Sequence, residues 1–546
     1  MKTSMDKSSK TQIKNSKEQT WLIYILLIVL FTIAVRYRLI DIPLERDERG
    51  FAYCAQLILH GIPPYTEAYD YNPPGLYFLY ASAITIFGSN VEAVHLLLLI
   101  FSAGTSIMLF WLVKKWSNTT GGAIASILSI FLLASSSVLG FAAHATHFVM
   151  FWAMMGYLLL EIGLERRNNL IVLASGISFG LSFLMKQSGF LFLFPALFFI
   201  LANTKGVKFK GSIKSTGFML AGFIIPLGGI AFWLMSIGAL KGFIYWNIQY
   251  PWLIAQGSGT NDYFLRIGRN GLQAAGNFLP VWITGLVSLI YLVSRKSGIG
   301  ANKKILIFII FSLGAVSIGY ETRSHYFVLL IPALAAAIGI ATSDISKSVK
   351  SGFGRKAIIG IPIAIALFGA IEERDYFFFD KPEAISRSIY YPNLFADAEI
   401  VSEFIRSRSD DSDRVAILGS EPEILFLSQR RSATRYIFTD FINMKHELGG
   451  LMQKEMIREI DSVKPAIIVM INQPFSWGAL PSGSWPLLRW IKGYLENNYE
   501  IVGTVTQRSV NSSVFRWDQE SRDDHGALAS SIIIFQRIRS DFESKP

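Results

Sequence analysis

The chain has 546 residues, of which 51% are hydrophobic and only 17% charged, a composition too apolar for a soluble protein of this size. Its net charge of +11 does not by itself indicate a nucleic-acid partner, because membrane proteins concentrate Lys and Arg in their cytoplasmic loops. The single cysteine, Cys54, excludes an intramolecular disulfide.

Eleven apolar segments predict membrane-spanning helices, because each approaches the roughly 20 residues that cross a bilayer. They lie near residues 20–40, 93–113, 122–140, 148–164, 170–185, 189–203, 216–239, 276–294, 304–320, 326–342 and 356–371. The N-terminus is polar and rich in lysine, and no small-residue cleavage site follows the first segment. We therefore expect the first helix to be retained rather than removed as a signal peptide.

Basic residues predict the orientation of these helices. With the N-terminus in the cytoplasm, the inner loops contain Lys114 and Lys115, Arg166 and Arg167, and residues 205–214, 295–304 and 343–356. Each of these loops carries at least two Lys or Arg residues. The loops assigned to the outer side have almost no such clusters, as the positive-inside rule requires. An odd number of helices places the C-terminal region outside the cytoplasm, so we expect a multi-pass protein of the inner or plasma membrane.

Residues 372–546 predict a separate soluble domain. A charged helical stretch at 396–408 is followed by the strand-like sequences "RVAILG" at 414–419 and "PAIIVMI" at 465–471. Strands that alternate with helices indicate an α/β fold. The expected fold is therefore a mostly α polytopic membrane protein with about 11 transmembrane helices and a C-terminal soluble α/β domain on the outer side. Residues 1–371 form the membrane domain, including outer loops 41–90 and 241–277.

The first outer loop begins with five consecutive charged residues, Glu45–Arg49, which we call the charged segment. "FAYCAQLILHG" and "GLYFLYASAITIF" then predict two helices on the membrane surface, joined by the proline-rich "IPPYTEAYDYNPPG". This arrangement would hold Asp47 and Glu48 at the boundary between membrane and water. The alternative is a solvated collar that anchors the first helix, in which the neighbouring arginines pair with the acids.

This loop resembles the GT-C superfamily of membrane glycosyltransferases, particularly the bacterial branch related to protein O-mannosyltransferases and the lipid A aminoarabinose transferase. The resemblance is carried by Asp47-Glu48, by "FAYCAQLILHGIPPY" and by "DYNPPG" at 70–75. Weaker similarities occur in "MKQSGFLFLFP", in "SHYFVLLIPALA" and, in the C-terminal domain, in "VAILGSEPEILFLSQRRSATRY". The resemblance implies transfer of a single sugar, with inversion, from a polyprenyl-phosphate-linked donor to an extracytoplasmic lipid, polysaccharide or protein.

The resemblance also implies roles for the two acids. An acceptor hydroxyl that attacks the anomeric carbon needs a carboxylate base within hydrogen-bond reach. Asp47 is implied to be that base, and Glu48 to support it or to bind the acceptor. Asp70 either shapes the same loop or is an ordinary turn residue before the prolines.

The leaving phosphate needs cationic or hydrogen-bonding neighbours. The candidates on the outer side are Lys186, Arg323, His325 and the pair His144/His147, and Lys186 is equally compatible with an interfacial anchor. Arg46 is either a phosphate contact or a partner of the neighbouring acids. Asn72 departs from the family pattern, in which a lysine or histidine precedes the two prolines. A neutral amide cannot provide a counter-charge, so this role is expected to move to Lys186 or Arg323.

No cofactor is expected. His144 and His147 are three residues apart and share a helical face, a spacing that also suits a metal. No carboxylate ligand lies beside them in the sequence, so ordinary hydrogen bonding is the default interpretation. A divalent metal is compatible with the sequence but is not indicated.

Two other classes of function stay open. A secondary transporter or a lipid or glycolipid flippase would place ionisable groups near the middle of the membrane and often has two related halves. A receptor or scaffold would use the C-terminal domain as its working part.

The aromatic and amide residues of the second outer loop suit either sugar contacts or an interfacial belt.

Overall fold

The structure is a computed structural model that describes residues 21–202, 209–257, 262–295, 300–318, 322–443, 448–478, 485–523 and 526–538. The described residues are mostly helical, with one six-stranded sheet. They form two compact units. The helical unit comprises the described residues within 1–40, 95–228 and 264–379, and the sheet unit comprises those within 41–94, 229–263 and 380–546.

Several helices have the length and composition of membrane spans. Within the described ranges, six are long and apolar enough to cross a membrane: Trp21–Leu39, Val91–Trp116, Ala145–Glu165, Gly211–Ser236, Tyr263–Ser294 and Gly352–Glu372. Shorter apolar helices are Pro74–Phe87, Thr119–Ala134, Asn169–Met185 and Gln187–Leu201. A multi-pass membrane protein is thereby supported, while the count of eleven spans stays a prediction.

The remaining helices are shorter or more polar. They are Arg46–Leu59, Leu240–Ile244, Tyr250–Gly257, Ala301–Ser317, Ile331–Ser348, Pro382–Tyr390, Ala398–Ser407, Pro422–Ser428, Asp440–Asn443, Gly449–Val463, Pro486–Asn498 and Gln519–Arg522. Arg46–Leu59 and Pro74–Phe87 are the two helices predicted on either side of the proline-rich turn. The predicted inner loop at 205–214 lies partly outside the described residues, as does the loop at 295–304.

Glycines allow two helices of the helical unit to approach closely. A Cβ atom on Gly176 would lie 2.1 Å from the carbonyl oxygen of Met219, and one on Gly222 would lie 2.1 Å from that of Leu173. Neither distance leaves room for a side chain. Small residues at such positions let helix backbones pack together, as they do in membrane helix pairs.

The sheet contains six strands in the order β2-β1-β3-β6-β4-β5. The strands are β1 Arg414–Leu418, β2 Arg431–Ser432, β3 Ile467–Ile471, β4 Tyr499–Ser509, β5 Ser512–Trp517 and β6 Ile532–Arg537. β1 runs parallel to β2 and β3, whereas β6 is antiparallel to β3 and β4, and β5 is antiparallel to β4. The two strands predicted from sequence, β1 and β3, are confirmed. The antiparallel half of the sheet was not predicted.

The first outer segment folds with the C-terminal region in the sheet unit. Tyr53 accepts a hydrogen bond from the backbone N–H of Ser432 in β2 at 2.8 Å. The backbone N–H of Tyr69 donates to the carbonyl oxygen of Arg435 at 2.8 Å. Glu67 forms ion pairs with Arg414 and Arg431 at the start of β1 and β2. Backbone and side-chain bonds therefore fix this segment against the parallel edge of the sheet.

Candidate active site

The charged segment forms the first turn of the helix Arg46–Leu59. The Glu45 carboxylate accepts hydrogen bonds from the backbone N–H groups of Asp47 at 2.9 Å and Glu48 at 3.1 Å. The Glu48 carboxylate accepts one from the backbone N–H of Glu45 at 3.0 Å. These reciprocal bonds form a capping box, which satisfies N–H groups that have no partner inside the helix. The capping box fixes the backbone that carries Asp47.

The three acids of this turn differ in exposure. Glu45 is 6% exposed and Glu48 is fully buried, whereas Asp47 is only half-buried. Burial, together with the nearby charges of Asp47 and Glu48, raises the pKa of Glu45. Asp47 is thus the carboxylate of the turn that a substrate can reach most easily.

The two arginines of the charged segment pair with acids that are distant in sequence. Arg49 is buried, with its guanidinium 3.5 Å from the Glu423 carboxylate, and it donates to the carbonyl oxygen of Phe395 at 3.0 Å. Arg46 lies 3.8 Å from Glu421 and donates to the carbonyl oxygen of Phe475 at 3.1 Å. The arginines therefore hold the first turn against the C-terminal part of the same unit.

Glu421 has the properties of a group that exchanges a proton near neutral pH. Burial raises its pKa to about 7, although the positive charge of Arg46 opposes that shift. Its carboxylate accepts a hydrogen bond from the Ser476 hydroxyl at 2.5 Å. Burial also raises the pKa of Glu423, opposed by Arg49. Both acids were missed as site residues, although "GSEPEI" placed them at the start of a helix directly after a predicted strand.

The proline-rich turn is organised around the buried carboxylate of Asp70. This carboxylate accepts hydrogen bonds from the Tyr77 hydroxyl at 2.8 Å, from the backbone N–H of Tyr71 at 2.7 Å and from the Asn72 amide at 3.1 Å. Burial raises the pKa of Asp70 to about 6, and the hydrogen bonds from Tyr77 and Tyr71 oppose that shift. Asp70 therefore acts as the hydrogen-bonding centre of the loop, beyond the role of a simple turn residue.

Asn72 is also buried, and it contributes its backbone to the same network. Its carbonyl oxygen accepts hydrogen bonds from the hydroxyl groups of Tyr65 at 2.7 Å and Tyr77 at 3.0 Å. The amide side chain is directed to Asp70. Asn72 thus joins the two tyrosines to the aspartate and stiffens the turn before the prolines.

In the helical unit, three segments bring predicted donor-site residues together. Lys186 follows the helix Asn169–Met185, and its Nζ lies 3.8 Å from the centroid of the Tyr326 ring. The rings of His144 and His325 stack with their centroids 3.8 Å apart. Arg323 lies two residues before His325. The structure therefore brings Lys186 and His325 to Tyr326, with His144 stacked on His325, in a cluster we call the cation cluster.

The cation cluster combines a permanent charge with a neutral imidazole. His325 is 4% exposed, and its burial lowers its pKa, with further lowering from His144, Lys186 and Arg323. The ammonium group of Lys186 lies over an aromatic face, an arrangement that favours a cation. An anion bound here would meet one fixed charge and a ring that can donate a hydrogen bond.

The segment that leads to His144 is held by a buried arginine. Arg36 donates to the carbonyl oxygens of Leu133 at 2.6 Å and Gly140 at 2.8 Å. The Tyr376 hydroxyl donates to the carbonyl oxygen of Ala134 at 2.8 Å. The bonds to Leu133 and Ala134 satisfy carbonyl groups at the end of the helix Thr119–Ala134, where helical partners are lacking. Arg36 therefore positions the approach to the cation cluster.

One protein family matches the chain by sequence. The family described as dolichyl-phosphate-mannose-protein mannosyltransferase matches residues 71–229. The matched region contains Pro73 and Pro74 of the proline-rich turn and Lys186, and it begins after the charged segment. No curated protein matches the chain in sequence.

Two membrane glycosyltransferases share the fold. ArnT from Cupriavidus metallidurans, bound to undecaprenyl phosphate, matches with a TM-score of 0.57 and 12% identity, over 95% of this chain and 98% of that chain. Its apo state matches with a TM-score of 0.58 and 13% identity, over the same shares of the two chains. The oligosaccharyltransferase from Archaeoglobus fulgidus, tethered with an acceptor peptide, matches with a TM-score of 0.53 and 14% identity, over 96% of this chain and 76% of that chain. The chain therefore shares the fold of these proteins, and the resemblance to GT-C membrane glycosyltransferases predicted from its first outer loop is confirmed.

Proposed function

We propose that this protein is a glycosyltransferase that moves a single sugar from a polyprenyl-phosphate-linked donor to an extracytoplasmic acceptor. The observation that carries the proposal is the position of Asp47, the accessible acid in a first turn whose other acids are buried. The family match over residues 71–229 supports the same chemistry. The undecaprenyl phosphate bound to ArnT, a protein of the same fold, supports a lipid-phosphate donor.

In the proposed reaction, Asp47 takes the proton of the acceptor hydroxyl. The hydroxyl oxygen then forms a bond to the anomeric carbon, while the bond from that carbon to the phosphate oxygen breaks and its electron pair leaves with the polyprenyl phosphate. Attack opposite the leaving group inverts the anomeric centre. We assign Glu48 to support Asp47, because its buried carboxylate closes the capping box.

We propose that Lys186, Arg323 and His325 stabilise the charge that develops on the leaving phosphate. A fixed cation and a hydrogen-bond donor are the groups that this charge requires. Arg46, Asp70 and Asn72 stay predicted substrate contacts. Their hydrogen bonds also give each of them a role in holding the first outer segment.

The proposal is tested by replacing Asp47 with Asn. The amide keeps the shape of the side chain but cannot accept the proton, so transfer should fall by roughly 10²- to 10⁴-fold at unchanged expression. Membranes are assayed for transfer, and their lipid-linked glycans are compared by mass spectrometry with and without the gene. The control is Glu496→Gln, which lies on the helix Pro486–Asn498 of the sheet unit, the unit that also contains Asp47. Retained transfer in Asp47→Asn would remove the base assignment, and movement of the donor across the membrane without transfer would indicate a flippase.

We also propose that the N-terminus is cytoplasmic and that the C-terminal region is extracytoplasmic, as the basic loops indicate. The exposed residue Asn511 lies between β4 and β5. In a Cys54→Ala background, Asn511→Cys should react with a membrane-impermeant maleimide in intact cells. Lys350→Cys, in a predicted inner loop, should react only after the membrane is opened. The reverse pattern would contradict this topology.

A further inference from the structure

The sheet unit contains an open cleft of about 350 Å³ that no step of the proposed reaction uses. One wall is formed by aromatic rings from three parts of the chain, namely Tyr69, Tyr245, Trp246 and Tyr436. The rings of Tyr69 and Trp246 lie 4.4 Å apart, and Tyr436 meets Tyr69 edge-on at 5.1 Å. These contacts hold the aromatic wall in one arrangement.

Another part of the lining is one face of the helix Gly449–Val463. Met452, Glu455 and Arg458 line the cleft, and their spacing of three residues places them on one side of the helix. This face changes from apolar at Met452 to charged at Glu455 and Arg458. The cleft therefore has an apolar floor and a polar edge, as binding sites for small molecules commonly do.

The Glu455 carboxylate is held in a defined orientation and can still accept hydrogen bonds from a ligand. Its carboxylate accepts hydrogen bonds from the Tyr436 hydroxyl and from the Arg435 guanidinium, each at 2.5 Å. Since a carboxylate has about four acceptor positions, it can accept further bonds from the cleft. Arg458 is exposed and donates from Nε to the carbonyl oxygen of Lys454 at 3.3 Å. Because a guanidinium has five N–H groups in all, Arg458 can also donate hydrogen bonds to a ligand.

We propose that this cleft binds one or two rings of a neutral saccharide. A pyranose has a C–H face that suits the negative face of an aromatic ring, and a rim of hydroxyl groups that suits the carboxylate and the guanidinium. An entirely apolar ligand would remove water from both charged groups without replacing their hydrogen bonds, which is costly. The cleft is lined by one acid and one arginine, Glu455 and Arg458, a balance that suits a ligand without net charge. The volume is near the lower end for ligand sites, which limits the occupant to a short glycan.

In the protein, this saccharide is assigned as part of the acceptor, and that assignment rests on the proposed function. The binding itself does not, because it involves neither Asp47 nor the cation cluster. Binding and transfer can therefore be tested independently.

The test uses the full chain in lipid nanodiscs, because maltoside detergents carry a sugar head group that would compete. Saturation-transfer difference NMR is recorded with methyl α-mannoside, methyl β-glucoside, methyl β-N-acetylglucosaminide and the disaccharide cellobiose. Tyr245→Ala removes one stacking ring, and Arg458→Ala removes one hydrogen-bond donor at the polar edge of the cleft. Each should weaken binding roughly three- to tenfold. Trp490→Ala, which removes a ring that stacks on Tyr494 away from the cleft, and Asp47→Asn should bind as the wild type does.

Saturation transfer from none of the four probes, or equal transfer in the two cleft variants and the wild type, would overturn the proposal. Displacement of a bound pyranoside from the wild type by sodium decanoate, at concentrations that leave the nanodiscs intact, would also overturn it in favour of an apolar-ligand site. Pyranoside binding without any sugar transfer by the wild type would support the cleft and remove the proposed function. Transfer without binding would remove the cleft alone. The unfolding midpoint of each variant, read from dye labelling of Cys54, shows whether it is folded.

Discussion

At the scale of single residues, the sheet unit contains several carboxylates whose protonation is coupled to folding. Asp70 is the clearest case, because burial raises its pKa to about 6 while its carboxylate accepts three different donors. The ordinary pKa of an aspartate is about 3.9. The folded protein thus binds this proton more tightly than the unfolded chain does.

It follows that Asp70 stabilises the fold in acid and loses that contribution as the pH rises. The contribution is full below pH about 4 and disappears as the pH passes about 6, for a total of up to about 3 kcal/mol. In Asp70→Asn the group does not titrate. Between pH 4.5 and pH 7.5 the wild type should therefore lose more stability than the variant, as measured by tryptophan fluorescence during unfolding. Glu421 titrates in both proteins, so its contribution cancels when the two stability profiles are subtracted. Identical profiles would contradict the raised pKa of Asp70.

The buried pair of Arg49 and Glu423 gives a second prediction. Both side chains are 1% exposed, so removal of one partner leaves a charge in an apolar environment. Arg49→Leu should lower the stability by about 3–5 kcal/mol, and the double variant Arg49→Leu/Glu423→Leu should recover most of that loss. The midpoint of thermal unfolding is followed by labelling of Cys54, which lies buried on the same helix.

The matched control for this pair is Arg408, whose ion pair with Asp518 is partly exposed. Arg408→Leu should cost no more than about 1 kcal/mol, because solvent screens such pairs. If the Arg408 and Arg49 variants lost the same stability, or if the double variant recovered nothing, Arg49 would not act through Glu423.

The sequence indicated that the charged segment was important, but it could not identify these partners. Asp47, Lys186 and His325 could be singled out because each stands in a local pattern of charge and aromatic residues. Glu421 and Glu423 could not, because their role depends on contacts across the fold. Arg49 and its acceptor Phe395, for example, are 346 residues apart in sequence, and no local periodicity reports such a contact.

At the scale of elements, a glycine lets the helix Arg46–Leu59 pack closely against the C-terminal part of its unit. A Cβ atom on Gly50 would lie 2.5 Å from Cζ of Phe438, a ring that is 4% exposed. Gly50→Ala should therefore destabilise the unit by about 1–3 kcal/mol, as overpacking of a buried site does. Thermal unfolding read from Cys54 measures this loss.

Gly493, in the middle of the helix Pro486–Asn498, is the matched control. Among the residues that the structure describes, no atom outside its own helix lies within 4 Å of the position where a Cβ would stand. Gly493→Ala should stabilise the unit by roughly 0.5–1 kcal/mol, since alanine has less backbone freedom to lose. A loss of stability in Gly50→Ala together with a gain in Gly493→Ala would confirm the close approach at Gly50. Changes in stability of the same sign would refute it.

The sheet shows which elements the sequence could predict. β1 and β3 are short apolar runs between helices, and both were identified because parallel strands buried on two faces have this pattern. β6 has a similar run, Ile532–Phe535, but it pairs antiparallel between β3 and β4. That order follows from contacts across the whole unit, and a helix–strand alternation does not indicate it.

At the scale of the whole molecule, the sheet unit is built from three separate stretches of chain. The first outer segment contributes Tyr53, Glu67 and Tyr69 to contacts with β1, β2 and the residues that follow β2. Its helix also carries Cys54, whose thiol is buried and whose pKa is raised by that burial. A buried thiol with a raised pKa reacts slowly with electrophiles.

Removal of residues 380–546 should therefore unfold the first outer segment, although that segment remains in the chain. Tyr53 would lose its backbone partner and Arg49 its counter-charge, and the apolar face around Cys54 would meet water. We expect the maleimide labelling rate of Cys54 in membranes to rise at least about tenfold, since local opening then costs little free energy. Sugar transfer should be lost in the same variant, because Asp47 would no longer be held. A truncated chain with an unreactive Cys54 and residual transfer would show instead that the first turn of the helix Arg46–Leu59 folds without the C-terminal region.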